Sequence, residues 1–238
     1  MARKSISEKK FQASNFAKYK SLDFKNKIYQ IKAFKFAKKL VKPGQKVLEL
    51  GCADGSFLKY ISDNTKVIPY GLDISSPSVK IAKEKGVNAR THDLSNKLPY
   101  KNSEFKLVIS LEVIEHLYDT DFFMEEIRRV LDKNGYLIIS TPNIASLNNR
   151  ARLLFGKYPK YMDYNGIFGG HIHLYTPDVL QNQLKLHRFK LIESTSPNFF
   201  NPFITKAWFP NPLKNLSMFL GDIFPNLGSH IIVVAQKI

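Results

Sequence analysis

The sequence predicts an α/β fold: a doubly wound, mostly parallel sheet of seven strands with helices on both faces and an antiparallel last strand. Three observations lead there. Apolar runs such as Val47–Leu50 and Leu107–Leu111 lack the polar alternation of a half-exposed sheet, as parallel strands covered on both sides require. Stretches of helical period separate these runs. The first run stops in an acidic, glycine-flanked turn, Glu49-Leu50-Gly51-Cys52-Ala53-Asp54-Gly55, and Ser56, Phe57, Leu58 and Ile61 then open a helix. Such a strand-to-helix junction offers backbone N–H groups and a positive helix end to a ligand.

Bulk properties narrow the class. A chain of 238 residues, 44% hydrophobic and 13% aromatic, buries one sizeable core, so residues 1–238 read as a single domain. No apolar run approaches the roughly 20 residues of a membrane span, and the charged first residues do not resemble a secretory signal. One cysteine allows no internal disulfide, which fits a cytoplasmic protein. Residues 1–42 hold 13 Lys/Arg against Glu8 and Asp23, contributing +11 of the formal +16. That basic helical segment is either a solvated face or a contact for an anionic partner: RNA, a phosphorylated substrate or an anionic membrane surface holding the protein peripherally. Oligomeric state is left open.

In chain order, Lys25 to Leu40 carries Ile28, Ile31, Phe34, Ala37 and Leu40 at helical spacing and is closed by Lys42-Pro43-Gly44. This leading helix is expected to lie across the domain, with Tyr19 and Phe24 ahead of it within reach of ligand. Val67 to Asp73 is the second strand, its regular ladder limited by Pro69 to the C-terminal part. Asp73 follows Gly51 by 22 residues, near the distance at which a carboxylate meets the ribose in nucleotide-binding α/β folds. Ser76-Pro77 starts the next helix, with serine as cap and proline first, and Gly86 ends it. A short strand over 87–91 precedes His92-Asp93-Leu94, and Leu107 to Leu111 reads as a central strand. Tyr136 to Thr141 makes the fifth strand, 145–155 a helix, and 156–170 a glycine- and tyrosine-rich loop of lid length. Thr176-Pro177 opens another helix, and 190–194 with 231–235 supply the last two strands. Residues 198–229 between them form an insertion rich in aromatic residues, including Phe199, Phe200, Phe203, Trp208, Phe209, Phe219 and Phe224. It lines an acceptor pocket, rests on a membrane surface, or forms a satellite core or dimer contact.

The ligand of the first turn follows by elimination. A dinucleotide fingerprint needs glycine where Ala53 and Ser56 stand, and a P-loop needs a Lys-Ser or Lys-Thr pair where Ser56-Phe57 stands. Glu49 and Asp54 suit a cationic or hydroxyl-rich ligand better than a pyrophosphate. E-L-G-C-A-D-G resembles motif I of the class I S-adenosylmethionine-dependent methyltransferases, a Rossmann-like family. The pattern Leu98-Pro99-Tyr100 followed by Phe105-Lys106-Leu107-Val108 extends that resemblance over Val47 to Pro142. It implies an S-adenosyl-L-methionine-dependent transferase, with the cofactor held around Glu49, Gly51, Cys52, Asp54, Gly55, Asp73, Ile74, Asp93, Leu94 and Leu111. Asp73, by its spacing, is expected to meet the ribose rather than cap a helix, and the resemblance implies that Asp93 accepts from the adenine amino group.

The fourth strand runs into Glu112-Val113-Ile114-Glu115-His116. Wound into a helical turn, Glu112, Glu115 and His116 share one face and could hold a divalent metal. With a later histidine ahead of Tyr175-Thr176, this segment resembles the metal-dependent terminal 2′-O-methyltransferases of small RNAs, and E-x-x-E-H also resembles the ubiquinone-biosynthesis O-methyltransferases. That likeness implies Glu112, Glu115, His116 and His171 as ligands of manganese, zinc or magnesium, with His116, His171 and His173 as catalytic candidates. Alternatively Glu115 and His116 only brace the next helix. The implied reaction is O-methylation of a small-molecule, sugar or lipid-linked acceptor, or of an RNA 2′-hydroxyl.

Overall fold

The computed structural model describes residues 28–161, 170–199 and 211–238. The basic arm before residue 28 with Tyr19 and Phe24, most of the expected lid, and the aromatic run from Phe200 to Phe209 lie outside the described residues. The elements are α1 (Ile28–Leu40), β1 (Lys46–Leu50), α2 (Ser56–Thr65), β2 (Ile68–Asp73), α3 (Ser76–Glu84), β3 (Asn88–Thr91) and β4 (Phe105–Leu111). A 3-10 turn (Ile114–His116) leads to α4 (Thr120–Val130), β5 (Leu131–Pro142), α5 (Leu147–Leu154), α6 (Pro177–Leu186) and β6 (Phe189–Thr195). Last come α7 (Asn211–Ile223), a 3-10 turn (Pro225–Leu227) and β7 (His230–Lys237).

Seven strands lie in the order β3-β2-β1-β4-β5-β7-β6. β1 to β5 are parallel, and β7 is antiparallel to both β5 and β6. This is the doubly wound sheet with the antiparallel last strand that the sequence predicts. Order reverses at β1, so the carboxyl ends of β1 and β4 flank the crevice where such sheets bind ligands.

The apolar runs are two-sided, as continuous burial demands. Leu48 and Leu50 of β1 join one core with Phe123, Met124 and Ile127 of α4 and Leu180 and Leu184 of α6. Val47 faces the other core, with Ala33 and Ala37 of α1, Phe57, Leu58 and Ile61 of α2, and Val79 of α3. Each fully buried Leu, Ile or Phe contributes about 1.5–3 kcal/mol. The two small alanines of α1 bring that helix close against the sheet.

Three local expectations are corrected. Pro69 does not shorten the β1 ladder, where it pairs with Val47; β3 joins β2 only from Tyr70, so the proline sits where β2 has a neighbour on one side. The cap of α3 is Ser75, whose Oγ accepts from the Ser78 N–H at 3.4 Å, and Pro77 therefore stands one position further in. β5 also begins earlier than expected, at Leu131, with Asn134 at φ 58 in its irregular first part. Among the described residues, no helix is long and apolar enough to cross a membrane.

Candidate active site

The turn after β1 is held in an unusual backbone shape. Gly51, Ala53 and Gly55 all have positive φ, at 79, 45 and 70°. Neighbours explain the glycines as much as the dihedrals do: a Cβ on Gly51 would lie 2.6 Å from Val113 Cγ2, and one on Gly55 would lie 2.8 Å from Ala82 Cβ. The turn is thus wedged between the end of β4 and α3.

Its N–H groups are largely spent. Gly51 and Cys52 donate to Leu72 O at 2.8 and 3.0 Å, Gly55 to Cys52 O at 2.9 Å, Ala53 to Asp73 Oδ2 at 2.8 Å and Ser56 to Asp54 Oδ1 at 3.1 Å. These five N–H groups are therefore engaged within the fold, which leaves the N-terminus of α2, without a side-chain cap, as the part of the junction that can meet a ligand. Buried N–H groups need partners, and the end of β2 and two carboxylates supply them. The carboxylates of Glu49, Asp54 and Asp73 gather at this junction, which suits a phosphate-free ligand carrying cationic and hydroxyl groups.

The expected cofactor residues divide by what their side chains face. Asp73, 9% exposed, takes the Ser75 N–H on Oδ1 and the Ala53 N–H on Oδ2, both at 2.8 Å, so it clamps the turn to β2. Burial pushes its carboxyl above the usual value, against the two N–H bonds. Each oxygen keeps a second lone pair for a hydroxyl donor. Glu49 is buried at the base of the turn. Asp93 accepts the Ser95 N–H at 3.0 Å, Ile74 is half-buried, and Leu94 and Leu111 are buried. Asp54 already has partners: Lys85 Nζ lies at 2.6 Å and Ser56 Oγ at 2.8 Å. Partial burial raises its carboxyl, but Lys85 and Ser56 outweigh this and hold it below the ordinary value. The Cys52 side chain is buried, and a Cβ on Gly71 would meet its Sγ at 2.6 Å. Cys52 therefore offers backbone only, and burial pushes its thiol well up, away from reactivity.

Beyond β4 the expected helical turn does not begin at Glu112. That residue has φ 58 and the 3-10 turn starts at Ile114, so Glu112 and Glu115 point to different partners. Glu112 Oε1 accepts from Ser140 Oγ at 2.6 Å, and its Oε2 lies 3.4 Å from His230 Nε2. His230, at the start of β7, contacts Ser229 Oγ through Nδ1 at 2.7 Å and stacks on Tyr29. The sequence reading missed His230, because only the antiparallel return of β7 beside β5 brings it to this edge, where it pairs in register with Pro142.

Glu115 is 1% exposed, with Oε2 accepting from Thr141 Oγ1 at 3.0 Å and Oε1 lacking a hydrogen-bond partner. Burial, then the nearby Glu112 charge, raises its carboxyl well above the usual range. Glu115, His116 and His171 bring one ligand atom each within 4.8 Å of one another. His171 Nδ1 lies 3.0 Å from Tyr161 O and donates to that carbonyl. The strap carrying His171 is pinned by Ile172 and His173 N–H groups on Glu115 O, at 2.9 and 3.1 Å. His173 itself turns away, its Nε2 3.2 Å from Tyr118 O. Glu112 and His173 thus stand outside the three-residue cluster.

Comparison with known proteins shows the family to which the chain belongs. The sequence model of the family described as Methyltransferase domain matches residues 25–194, well over half of the chain. The chain belongs to the methyltransferase domain family. A Methanocaldococcus jannaschii protein of uncharacterized function is 26% identical over 84% of this chain and 83% of its own length. A probable S-adenosylmethionine-dependent methyltransferase of Mycolicibacterium smegmatis is 34% identical over 42% of this chain and 39% of its own. The ubiquinone biosynthesis O-methyltransferase of Pelagibacter ubique is 30% identical over 41% and 42%. This chain thus spans well under half of those last two relatives. In fold it resembles an S-adenosylmethionine-dependent methyltransferase of Thermotoga maritima described as a possible histamine N-methyltransferase, with TM-score 0.64 at 17% identity over 90% and 91% of the chains.

Membership of this family implies S-adenosylmethionine as the cofactor, which supplies a methyl group on a sulfonium. The carboxylates gathered at the turn fit such a molecule. Glu49, Asp73 and Asp93 are the residues that would hold it, while Gly51 and Gly55 let the turn pack tightly behind it.

Proposed function

We propose that this methyltransferase transfers methyl to a hydroxyl group of a small-molecule, sugar or lipid-linked acceptor. The observation that carries the reading is the group of two carboxylates and three imidazoles beside the turn: Glu112 with His230, and Glu115 with His116 and His171. An oxygen acceptor must lose a proton as it attacks the sulfonium methyl, and this group places the partly exposed carboxylate of Glu112 at the β4 edge to receive it. Glu112 is the base in this reading, since its carboxylate is partly exposed while Glu115 is enclosed. The likeness to the ubiquinone biosynthesis O-methyltransferase supports the same chemistry.

A second reading adds a metal. Glu115 Oε1 has no hydrogen-bond partner and lies 4.0 Å from His116 Nε2, and Glu115, His116 and His171 each bring one ligand atom within 4.8 Å of the others. Glu115, His116 and His171 would hold the ion, and its histidines favour manganese or zinc over magnesium. Bound there, it would polarise an acceptor hydroxyl. Such a site also fits an RNA 2′-hydroxyl, and a probable tRNA methyltransferase of Mus musculus is 33% identical over 46% of this chain and 24% of its own length.

Labelled methyl supplied as S-adenosylmethionine to a cell extract, with mass spectrometry of the product, tests the reading. An O-methylated small molecule or lipid supports it, and methyl on nitrogen or carbon overturns it. If His116→Ala and His171→Ala keep their activity and chelator has no effect, the metal is absent from the mechanism.

A further inference from the structure

The last turn of α5 and the residues after it have a composition that a soluble surface does not call for. Leu153, Leu154, Phe155 and Tyr158 are 58, 81, 74 and 54% exposed. Arg150, Arg152, Lys157 and Lys160 are interleaved with them, and no acidic residue occurs from Ile144 to Tyr161. The fold holds this segment in place from behind. Asn149 is fully buried, accepting the Lys160 N–H on Oδ1 at 2.8 Å and donating to Lys160 O at 3.2 Å, while Arg152 Nε donates to Tyr158 O. The apolar side chains are therefore presented outward by a braced loop.

A second element repeats the pattern. α7 turns Ser217 and Gly221 inward, where a Cβ on Gly221 would meet Ser196 O at 2.6 Å. Its outward arc carries Leu213, Leu216, Phe219 and Ile223, at helical spacing and 45–59% exposed. This helix is amphipathic with its apolar side on the outside. Both elements hang from Asn143 at the end of β5: its side chain donates to Asn226 O and Gly228 O just after α7, and its backbone O accepts from Asn149. They thus border the same carboxyl edge as Glu112 and His230.

We propose that this edge docks on an anionic lipid surface, with the 150–160 segment as its main contact and α7 beside it. Exposed aliphatic side chains threaded among cations match a bilayer interface, whose acyl boundary takes the leucines while its headgroups take Arg and Lys. Single-stranded RNA could stack on Phe155 and Tyr158 but would leave the protruding Leu153 and Leu154 without an apolar partner, which a bilayer supplies. The docking stands independently of which atom accepts the methyl group. Combined with the O-methyl reading, it brings the mouth of the site to a lipid-linked acceptor.

Vesicle flotation of the full chain tests this, using phosphatidylglycerol mixed in equal parts with phosphatidylcholine against phosphatidylcholine alone. The protein is expected to float with the anionic vesicles, and Leu154→Ser/Phe155→Ser to reduce its partition about tenfold or more, with S-adenosylhomocysteine affinity and melting temperature unchanged. Lys157→Glu should weaken binding to the anionic vesicles alone. Failure of the unaltered chain to float with phosphatidylglycerol overturns the proposal, as does a Leu154→Ser/Phe155→Ser protein that floats equally well, which would assign binding to the basic arm. A substitution that instead splits a dimer in light scattering shows a contact between copies. Binding of oligouridylate lost in Lys157→Glu but kept in Leu154→Ser/Phe155→Ser, without flotation, shows an RNA surface. Either result also overturns docking on lipid.

Discussion

Asp73 performs two tasks with one carboxylate, since the oxygens that would meet the ribose also hold Ala53 and Ser75. Asp73→Ala should therefore weaken S-adenosylhomocysteine binding about tenfold to a hundredfold in calorimetry, as loss of charged hydrogen bonds implies, and Asp73→Asn less so. Unchanged affinity in both would remove the ribose assignment. Asp54 behaves differently, because Lys85 and Ser56 overcome its partial burial and depress its carboxyl below 3.8. A depressed acid stabilises the fold above its unfolded value and loses that contribution as pH falls through the folded value. Asp54→Asn is expected to cost about 1 kcal/mol near neutrality and nothing once the pH is well below 4, which paired melting curves would show. In the proposed O-methyl transfer, His230 would act through Glu112, whose Oε2 lies 3.4 Å from its Nε2. Its replacement by alanine should slow methyl transfer about tenfold while leaving S-adenosylhomocysteine affinity intact, and glutamine, which keeps an N–H donor, should recover part of the rate.

At the scale of elements, α1 and α7 are joined by a buried lysine. Lys32 Nζ lies 2.6 Å from Ser196 O, 3.1 Å from Thr195 Oγ1, 3.1 Å from Met218 O and 2.5 Å from Asp222 Oδ1. Burial lowers its ammonium from the usual value, and Asp222 acts in the opposite direction. Because Asp222 is half exposed, most of the value of this junction lies in the carbonyls that would lose their donor. Lys32→Ala should destabilise the protein by about 2–4 kcal/mol and speed hydrogen exchange over 211–227 ahead of the sheet. Equal exchange in α7 and β5 of that variant would show that the helix does not depend on the lysine. Gly55→Ala tests a second junction, since both φ 70 and the close Ala82 oppose a side chain there. A loss of about 1–3 kcal/mol in denaturant unfolding is expected.

For the molecule as a whole, ligand linkage separates the methyltransferase from a dehydrogenase on the same kind of sheet. S-adenosylhomocysteine at a hundred times its dissociation constant should add about 2.7 kcal/mol, roughly 5–10 °C in melting temperature, while NAD adds nothing. Thermal scans with both ligands would settle the matter.

Much of this architecture could be read from the letters because its causes are local. Continuous apolar runs such as Leu107–Leu111 need burial on both faces, and the elimination at Ala53, Ser56 and Phe57 turns on residues adjacent in the chain. The strand sequence and the antiparallel return follow from such patterns, while the cofactor class came from the resemblance of Glu49-Leu50-Gly51-Cys52-Ala53-Asp54-Gly55 to a methyltransferase motif. Other features required the closed fold. The pairing of Glu112 with His230 joins residues 118 positions apart, and the Lys32 junction joins two helices at opposite ends of the chain. The separation of Glu112 from Glu115 and His116 came from a left-handed residue that helical spacing could not announce. Periodicity reports which face of an element is apolar, but which side chains from distant segments meet at one edge is set by sheet order and by how closely the helices pack upon it.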